Sequence, residues 1–122
     1  MRERIDMNLF ESIASGFRHY VNFRGRALRS QYWWWTLFVS VVAIIANVIQ
    51  NATNVDWLFA VVALALFLPG LSVAIRRLHD TNRRGWWILI GLIPIVGWII
   101  LFIWYVSKGT EGDNNYGPPI YS

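Results

Sequence analysis

Three long apolar segments dominate the chain, and short polar segments separate them. They cover residues 32–50, 57–75 and 86–107, and none contains Lys, Arg, Asp or Glu. A helix rising about 1.5 Å per residue needs roughly 20 apolar residues to cross a hydrocarbon core of about 30 Å. Because backbone polar groups in lipid must be paired within their own segment, we expect helices rather than strands. The pattern predicts an all-α integral membrane protein with three transmembrane helices in a single membrane domain over residues 1–122.

The third apolar segment contains three residues that interrupt helices, Gly91, Pro94 and Gly97. They are compatible with a kinked helix that crosses the membrane, or with a re-entrant hairpin that returns to the side it started from. We favour the crossing helix, because re-entrant segments are normally buried in larger proteins. Under that interpretation the turn-rich residues 108–122 form an irregular tail on the far side.

A shorter amphipathic pattern precedes the first span. Phe10, Ile13 and Phe17 recur at helical spacing, which predicts a helix over residues 7–22. We predict that this amphipathic helix lies flat at the cytoplasmic membrane interface, with a cap on the bundle through protein contacts as the open alternative.

Composition narrows the function classes. The chain is 56% hydrophobic and 15% charged, and it has no cysteine. Disulfides, thiolate metal sites and thiol nucleophiles are therefore excluded. Apolar spans without ionisable residues argue against a proton-coupled or ion-coupled pump. No cleavable signal peptide is predicted, because the first 31 residues lack a short apolar core followed by small residues.

The charges predict an orientation, because short loops rich in Lys and Arg stay in the cytoplasm. Six arginines precede the first span and four follow the second, whereas the connector after the first span has only Asp56. We therefore expect a cytoplasmic N-terminus and a C-terminus outside. The aromatic residues expected to anchor the cytoplasmic interface are Trp33, Trp34, Trp86 and Trp87.

The stretch RRLHDTNRRGWW, residues 76–87, carries the most reactive side chains. His79 and Asp80 are sequence neighbours and point about 100° apart on a helix, so they do not form a dyad by themselves. Arg76 and Asp80 are four residues apart and could pair on one helical face. With His19 distant, the ligands are too few for a metal site. We predict a protein that is not an enzyme and has no metal or cofactor.

The arginines suggest a binding site, because a guanidinium presents a planar fork of donors suited to phosphate oxygens. Basic clusters beside membrane helices attract anionic lipid at about 1 kcal/mol per residue. The alternative is that these arginines only fix topology. No nucleic-acid-binding fold accompanies them. The candidate residues for anionic lipid or phosphate binding are Arg24, Arg26, Arg29, Arg76, Arg77, His79, Arg83 and Arg84.

Three functional hypotheses remain. The first is a small inner-membrane protein of uncharacterised activity whose cytoplasmic arginine cluster binds anionic phospholipid headgroups or phosphate. The second is an oligomeric pore or holin-like protein, since small residues such as Gly70 and Ala74 permit helix association between copies. The third is an enzyme on lipid substrates that uses His79 and Asp80.

Three stretches together resemble a known family: FRGRALRSQYWWW, then RRLHDTNRRGWW followed by IPIVGW, and GTEGDNNYGPP. In order and spacing they look like the hallmark segments of the bacterial inner-membrane domain-of-unknown-function family 805 (DUF805). Arg84 departs from the pattern, because the family usually has a small residue before the loop glycine. The resemblance implies an inner-membrane protein of a few helices and supplies no established activity.

Overall fold

The structure is a computed structural model that describes residues 8–118. It contains helices α1 (Leu9–Arg18), α2 (Arg29–Thr53) and α3 (Leu58–Asp80), a 3₁₀ helix (Gly85–Leu92) and α4 (Val96–Val106). Within this part of the chain there is no strand, and only one isolated bridge joins Asn114 and Gly117. The predicted all-α class is confirmed.

Helix α2 contains the first predicted span, and α3 contains all of the second except Trp57. Their 25 and 23 residues extend for about 37 and 35 Å at the usual rise, which exceeds the hydrocarbon core. Both are long and apolar enough to cross a membrane. Their outer faces expose large apolar side chains, among them Ile44, Val48 and Leu64 at 64%, 62% and 74%. Such continuous apolar surface favours contact with lipid.

The prediction that residues 86–107 form a single crossing helix is not confirmed. The segment breaks between the 3₁₀ helix and α4, at Ile93–Pro94–Ile95. Ile95 has φ 69° and ψ −66°, and the Val96 amide donates to the Pro94 carbonyl at 2.7 Å. These values define a γ-turn, a strained conformation for a β-branched residue. The chain therefore reverses here.

The two legs pack against each other as a re-entrant hairpin. A Cβ on Gly97 would lie 1.7 Å from the Ile90 carbonyl oxygen, so only glycine permits this approach. The Trp98 indole closes the turn by donating to the Gly91 carbonyl at 2.9 Å. Each leg is about 16 Å long at the usual rise of its helix type, roughly half the hydrocarbon core.

The hairpin brings the following tail back to the end where α2 begins and α3 ends. Trp33, in the first turns of α2, donates from its indole to the Tyr105 carbonyl at 3.2 Å. The Thr110 amide donates to the Asp80 carbonyl at 2.8 Å. The prediction of a tail on the far side from the arginines disagrees with these contacts. Tail residues 108–118 are irregular, as expected, and residues 119–122 lie outside the described part.

Helix α1 packs on the bundle through small residues. Ser12, Ser15 and Gly16 are buried, and a Cβ on Gly16 would meet the Trp35 ring at 2.3 Å. Of the apolar stripe, Phe10 is 78% exposed, whereas Phe17, 44% exposed, also packs edge-on against the Trp35 and Phe38 rings of α2. The helix is shorter than the predicted 7–22, of which residue 7 lies outside the described part. It thus contacts the bundle while offering apolar side chains to its surroundings.

Candidate functional site

All positive side chains of residues 8–118 gather at one end of the bundle, which we call the basic end. It consists of the α1–α2 loop, the loop after α3, the tail and the adjoining helix ends. Its nine Lys and Arg residues are Arg18, Arg24, Arg26, Arg29, Arg76, Arg77, Arg83, Arg84 and Lys108. Three carboxylates accompany them, Asp80, Glu111 and Asp113. The basic end therefore carries an excess of positive charge.

Asp80 forms the centre of a buried ion cluster. Its Oδ1 accepts from Arg26 Nε at 2.9 Å and its Oδ2 from Arg77 Nη1 at 2.5 Å, and all three side chains are fully buried. Arg77 precedes Asp80 by three residues on α3, a spacing that puts both on one helical face. Arg26 reaches it from the α1–α2 loop. One carboxylate thus links two arginines from different segments.

Backbone carbonyls of the tail accept from the other two nitrogens of Arg26. Its Nη1 donates to Gly112 at 2.7 Å and Gly117 at 3.2 Å, and its Nη2 donates to Thr110. Gly112 and Gly117 have φ of 69° and 106°, a region that favours glycine. The glycine-rich tail is therefore shaped to present its carbonyls to this guanidinium.

Arg77 holds the end of α4 in the same way. Its Nε donates to the Tyr105 carbonyl at 3.2 Å, and its Nη2 donates to the Ser107 carbonyl. Its Nη1 also reaches the Ala27 carbonyl at 3.3 Å. The Tyr105 and Ser107 carbonyls lie at the C-terminal end of α4, where carbonyls lack helical partners and a cation is a favourable one. Arg77 therefore joins α3, α4 and the α1–α2 loop.

His79 belongs to the contact with the tail and makes no pair with Asp80. Its Nδ1 lies 2.9 Å from the Gly25 carbonyl, and its ring stacks on Tyr116 with centroids 4.0 Å apart and planes within 3°. Asn114 Nδ2 donates to the His79 carbonyl at 2.9 Å. The two neighbours in the sequence thus have separate partners, as their helical spacing predicts.

Arg76 differs from the other buried arginines. It is 2% exposed, and its Nε donates to Ser72 Oγ at 3.3 Å. Its Nη2 is buried and has no hydrogen-bond partner, and no carboxylate of residues 8–118 lies within ion-pair distance. The predicted pairing of Arg76 with Asp80 is wrong, because Asp80 is turned toward Arg26 and Arg77.

The remaining candidate arginines lie at the surface. Arg24, Arg29 and Arg84 are exposed, and Arg83 is half-buried. Arg29 Nη1 donates to the Val106 carbonyl at 3.0 Å. Arg83 lies over the Trp104 ring, 4.5 Å from its centroid, in a cation–π contact. The structure thus divides the predicted cluster into buried arginines and surface arginines.

An apolar groove opens beside the surface arginines. Its volume is about 710 Å³, within the range of known ligand pockets of roughly 300–1,000 Å³. Its apolar walls come from α3, the 3₁₀ helix and the α1–α2 loop, and Arg84, His79 and Tyr116 also line it. The groove therefore combines apolar walls with a cation.

The predicted anchors differ in their surroundings. Trp34, Trp86 and Trp87 are exposed, at 38%, 78% and 50%. Trp33 instead packs on α4, where its ring meets Phe102 edge-on at 5.7 Å. Three of the four are therefore available to an interface.

Sequence reasoning missed the tail as part of the site. Thr110 contacts Arg26 of the buried cluster, and Asn114 and Tyr116 contact the neighbouring His79. Glycine, asparagine and proline in the tail indicated turns, and GTEGDNNYGPP was one of the three stretches that resemble the family, but neither signal shows which residues the tail contacts. The tail also has an exposed pair, in which the Lys108 ammonium donates to Glu111 at 2.6 Å and lowers the pKa of that carboxyl.

Across residues 8–118, no three His, Asp or Glu side chains converge on a point that could hold a metal.

Comparison with known proteins agrees with the motifs. The family described as "Protein of unknown function (DUF805)" matches residues 20–118. Inner membrane protein YhaI of Escherichia coli (strain K12) is 45% identical over 105 residues, which cover 84% of this chain and 89% of that protein. Inner membrane protein YhaH of the same organism is 39% identical over 107 residues, or 83% and 88%. No solved structure matches. The resemblance seen in the motifs is confirmed, and the chain belongs to the DUF805 family.

Proposed function

We propose that this chain is a non-enzymatic protein of the bacterial inner membrane whose basic end binds anionic phospholipid headgroups. The observation that carries the proposal is the segregation of charge: all nine Lys and Arg residues of the described chain occupy one end, against three carboxylates. Relatives named as inner membrane proteins support the location.

The orientation follows from the same asymmetry. The basic end belongs in the cytoplasm, and the short connector around Asp56, which has no basic residue, belongs outside. Because the hairpin returns the tail to the basic end, residues 108–118 are then cytoplasmic as well. In this layout α2 and α3 cross the membrane, and the hairpin enters from the cytoplasmic side.

The surface arginines and the groove supply complementary contacts for a lipid. Each basic residue near an anionic surface contributes about 1 kcal/mol of attraction. Arg84 beside the apolar groove adds a place where a chain can lie next to a charged headgroup. Exposed apolar residues at the hairpin tip, such as Leu92 at 80% and Ile95 at 66%, support insertion of this face.

The test compares lipid retention by purified protein, measured by native mass spectrometry. The variant R29Q/R83Q/R84Q removes three surface charges and leaves the buried cluster intact. We expect it to lose most bound phosphatidylglycerol and cardiolipin, whereas R29K/R83K/R84K keeps the charge and retains them. Equal retention by wild type and the glutamine variant would overturn the proposal. The proposal predicts that the protein carries no ions across a liposome membrane. Measured ion flux would favour a pore instead.

A further inference from the structure

Three arginines are buried at the basic end, and one buried carboxylate lies among them. Arg26, Arg76 and Arg77 are 1%, 2% and 0% exposed. Asp80 pairs with Arg26 and Arg77. Arg76 therefore carries a buried charge for which residues 8–118 provide no counter-ion.

Such a charge is costly, because a guanidinium taken out of water cannot shed its proton under ordinary conditions. Buried charges in proteins are normally paired and hydrogen-bonded. Arg76 Nη2 has neither kind of partner within the described chain. An anion from outside the chain would supply both.

Arg76 lines a polar cavity that can accommodate an anion. The cavity lies between α1, the α1–α2 loop and α3, and its volume is about 220 Å³. A water molecule occupies about 30 Å³ of liquid, so a phosphate group fits. The cavity is lined by Ser15, Arg18, His19, Asn22, Arg24, Gly25, Arg26, Gln31 and Arg76, with no carboxylate.

Several neutral groups of this wall already form hydrogen bonds within the protein. Gln31 Nε2 donates to Ser15 Oγ at 2.6 Å, and the Leu28 amide donates to Gln31 Oε1 at 3.3 Å. His19 Nδ1 lies 2.9 Å from the Ser15 carbonyl. The charged donors of the wall that face a ligand are the guanidinium groups of Arg76 at the base and of the exposed Arg18 and Arg24 at the rim. That composition selects a negatively charged ligand.

We propose that Arg76 forms the base of an oxyanion site that takes one phosphate group, with Arg18 and Arg24 closing over it. Planar guanidinium forks match phosphate oxygens in pairs, which a neutral ligand cannot exploit. The inference rests on the proposed function, for which it names a defined site and ligand group. The phosphate can belong to a lipid headgroup or be inorganic, since both present the same oxygens.

The experiment measures the unfolding temperature of the detergent-purified full chain in inorganic phosphate and in chloride at equal ionic strength. A second arm uses nanodiscs of phosphatidylglycerol or of phosphatidylcholine. A rise with inorganic phosphate identifies the free anion, and a rise with phosphatidylglycerol alone identifies the headgroup. We expect one of these rises in wild type, and no rise in either arm overturns the inference.

Arg76→Met tests the base of the site, because it removes the unpaired charge and keeps a chain of similar length. It should weaken apparent ligand affinity at least tenfold, while the unfolding temperature in chloride stays equal or increases. If Arg76→Met fails to fold, R18Q/R24Q carries the test, with the same expected loss of response. An undiminished response in the folded variant overturns the site.

The two proposals fail separately. Phosphatidylglycerol retention that depends on Arg29, Arg83 and Arg84 but is unchanged in Arg76→Met supports surface binding and overturns the oxyanion site. A phosphate response that depends on Arg76, with lipid retention unchanged in R29Q/R83Q/R84Q, supports the site and overturns surface binding by those three arginines.

Discussion

Arg26 and Asp80 lie 54 residues apart in the sequence and form a fully buried ion pair, with Nε and Oδ1 separated by 2.9 Å. The pair joins the α1–α2 loop to the last residue of α3. Arg77 pairs with the second carboxylate oxygen of Asp80, so removal of the Asp80 carboxylate would leave two cations without their counter-ion.

We expect Asp80→Asn to destabilise the fold by about 3–5 kcal/mol, because it leaves Arg26 and Arg77 buried without their counter-ion. Thermal unfolding in detergent measures the change. Glu111→Gln is the matched control, since it removes a carboxylate from an exposed pair with Lys108 and should leave the unfolding temperature unchanged. Equal unfolding temperatures for both variants would show that the buried cluster contributes nothing.

The hairpin predicts that the tail and the loop after α3 lie on the same side of the membrane. The chain has no native cysteine, so single cysteines can be labelled without background. We expect Asp113→Cys and Arg84→Cys to react with a membrane-impermeant maleimide from the same side, and Thr53→Cys, at the end of α2, from the opposite side. Labelling of Asp113→Cys together with Thr53→Cys would mean that residues 86–107 cross the membrane.

Gly97→Ala should disrupt the hairpin, because its Cβ would lie 1.7 Å from the Ile90 carbonyl oxygen and the backbone must move. Overpacking of this kind costs about 1–3 kcal/mol and sometimes more, and thermal unfolding will measure it. Gly91→Ala is the control in the same hairpin, since its Cβ would lie 3.2 Å from the flexible end of Leu101. If both variants unfold at the wild-type temperature, the close approach of the legs is absent in the membrane.

The His79–Tyr116 stack should hold the tail against the bundle. Aromatic pairs contribute about 0.5–1.5 kcal/mol, so Tyr116→Ala should raise the open population of the tail roughly 2- to 12-fold. Tryptic cleavage after Lys108, followed by mass spectrometry, reports that population because it requires local opening. Tyr116→Phe keeps the ring and should be cleaved at the wild-type rate. Equal cleavage rates for the alanine and phenylalanine variants would show that the stack does not hold the tail against the bundle.

Helix type and the two spans could be predicted from the sequence because they depend on local pattern. Residues 32–50 and 57–75 are uninterrupted apolar runs, and α2 and α3 contain them almost entirely. The sequence offered the hairpin only as the less favoured alternative to a crossing helix, since Gly91, Pro94 and Gly97 indicate a break but not its direction. Its direction depends on a tertiary contact, the approach of Gly97 to Ile90, which no local pattern encodes.

The sequence predicted which residues belong to the site but not how they are arranged in it. The arginines were identified as a cluster because they flank the spans. Their division into buried and surface groups depends on partners far away in sequence, such as Gly112 and Gly117, which are 86 and 91 residues from Arg26. Every residue has a backbone carbonyl, so residue type does not show which carbonyl accepts a hydrogen bond from which arginine.

The reliance of Arg26 on tail carbonyls imposes an order on biosynthesis. The ribosome makes Arg26 and Asp80 well before Thr110, Gly112 and Gly117, so both spans can enter the membrane while this guanidinium still lacks its backbone acceptors. Only after translation has passed Gly117 can the arginine core be closed. A chain that ends before Thr110 would therefore leave the Arg26 guanidinium without its three backbone acceptors.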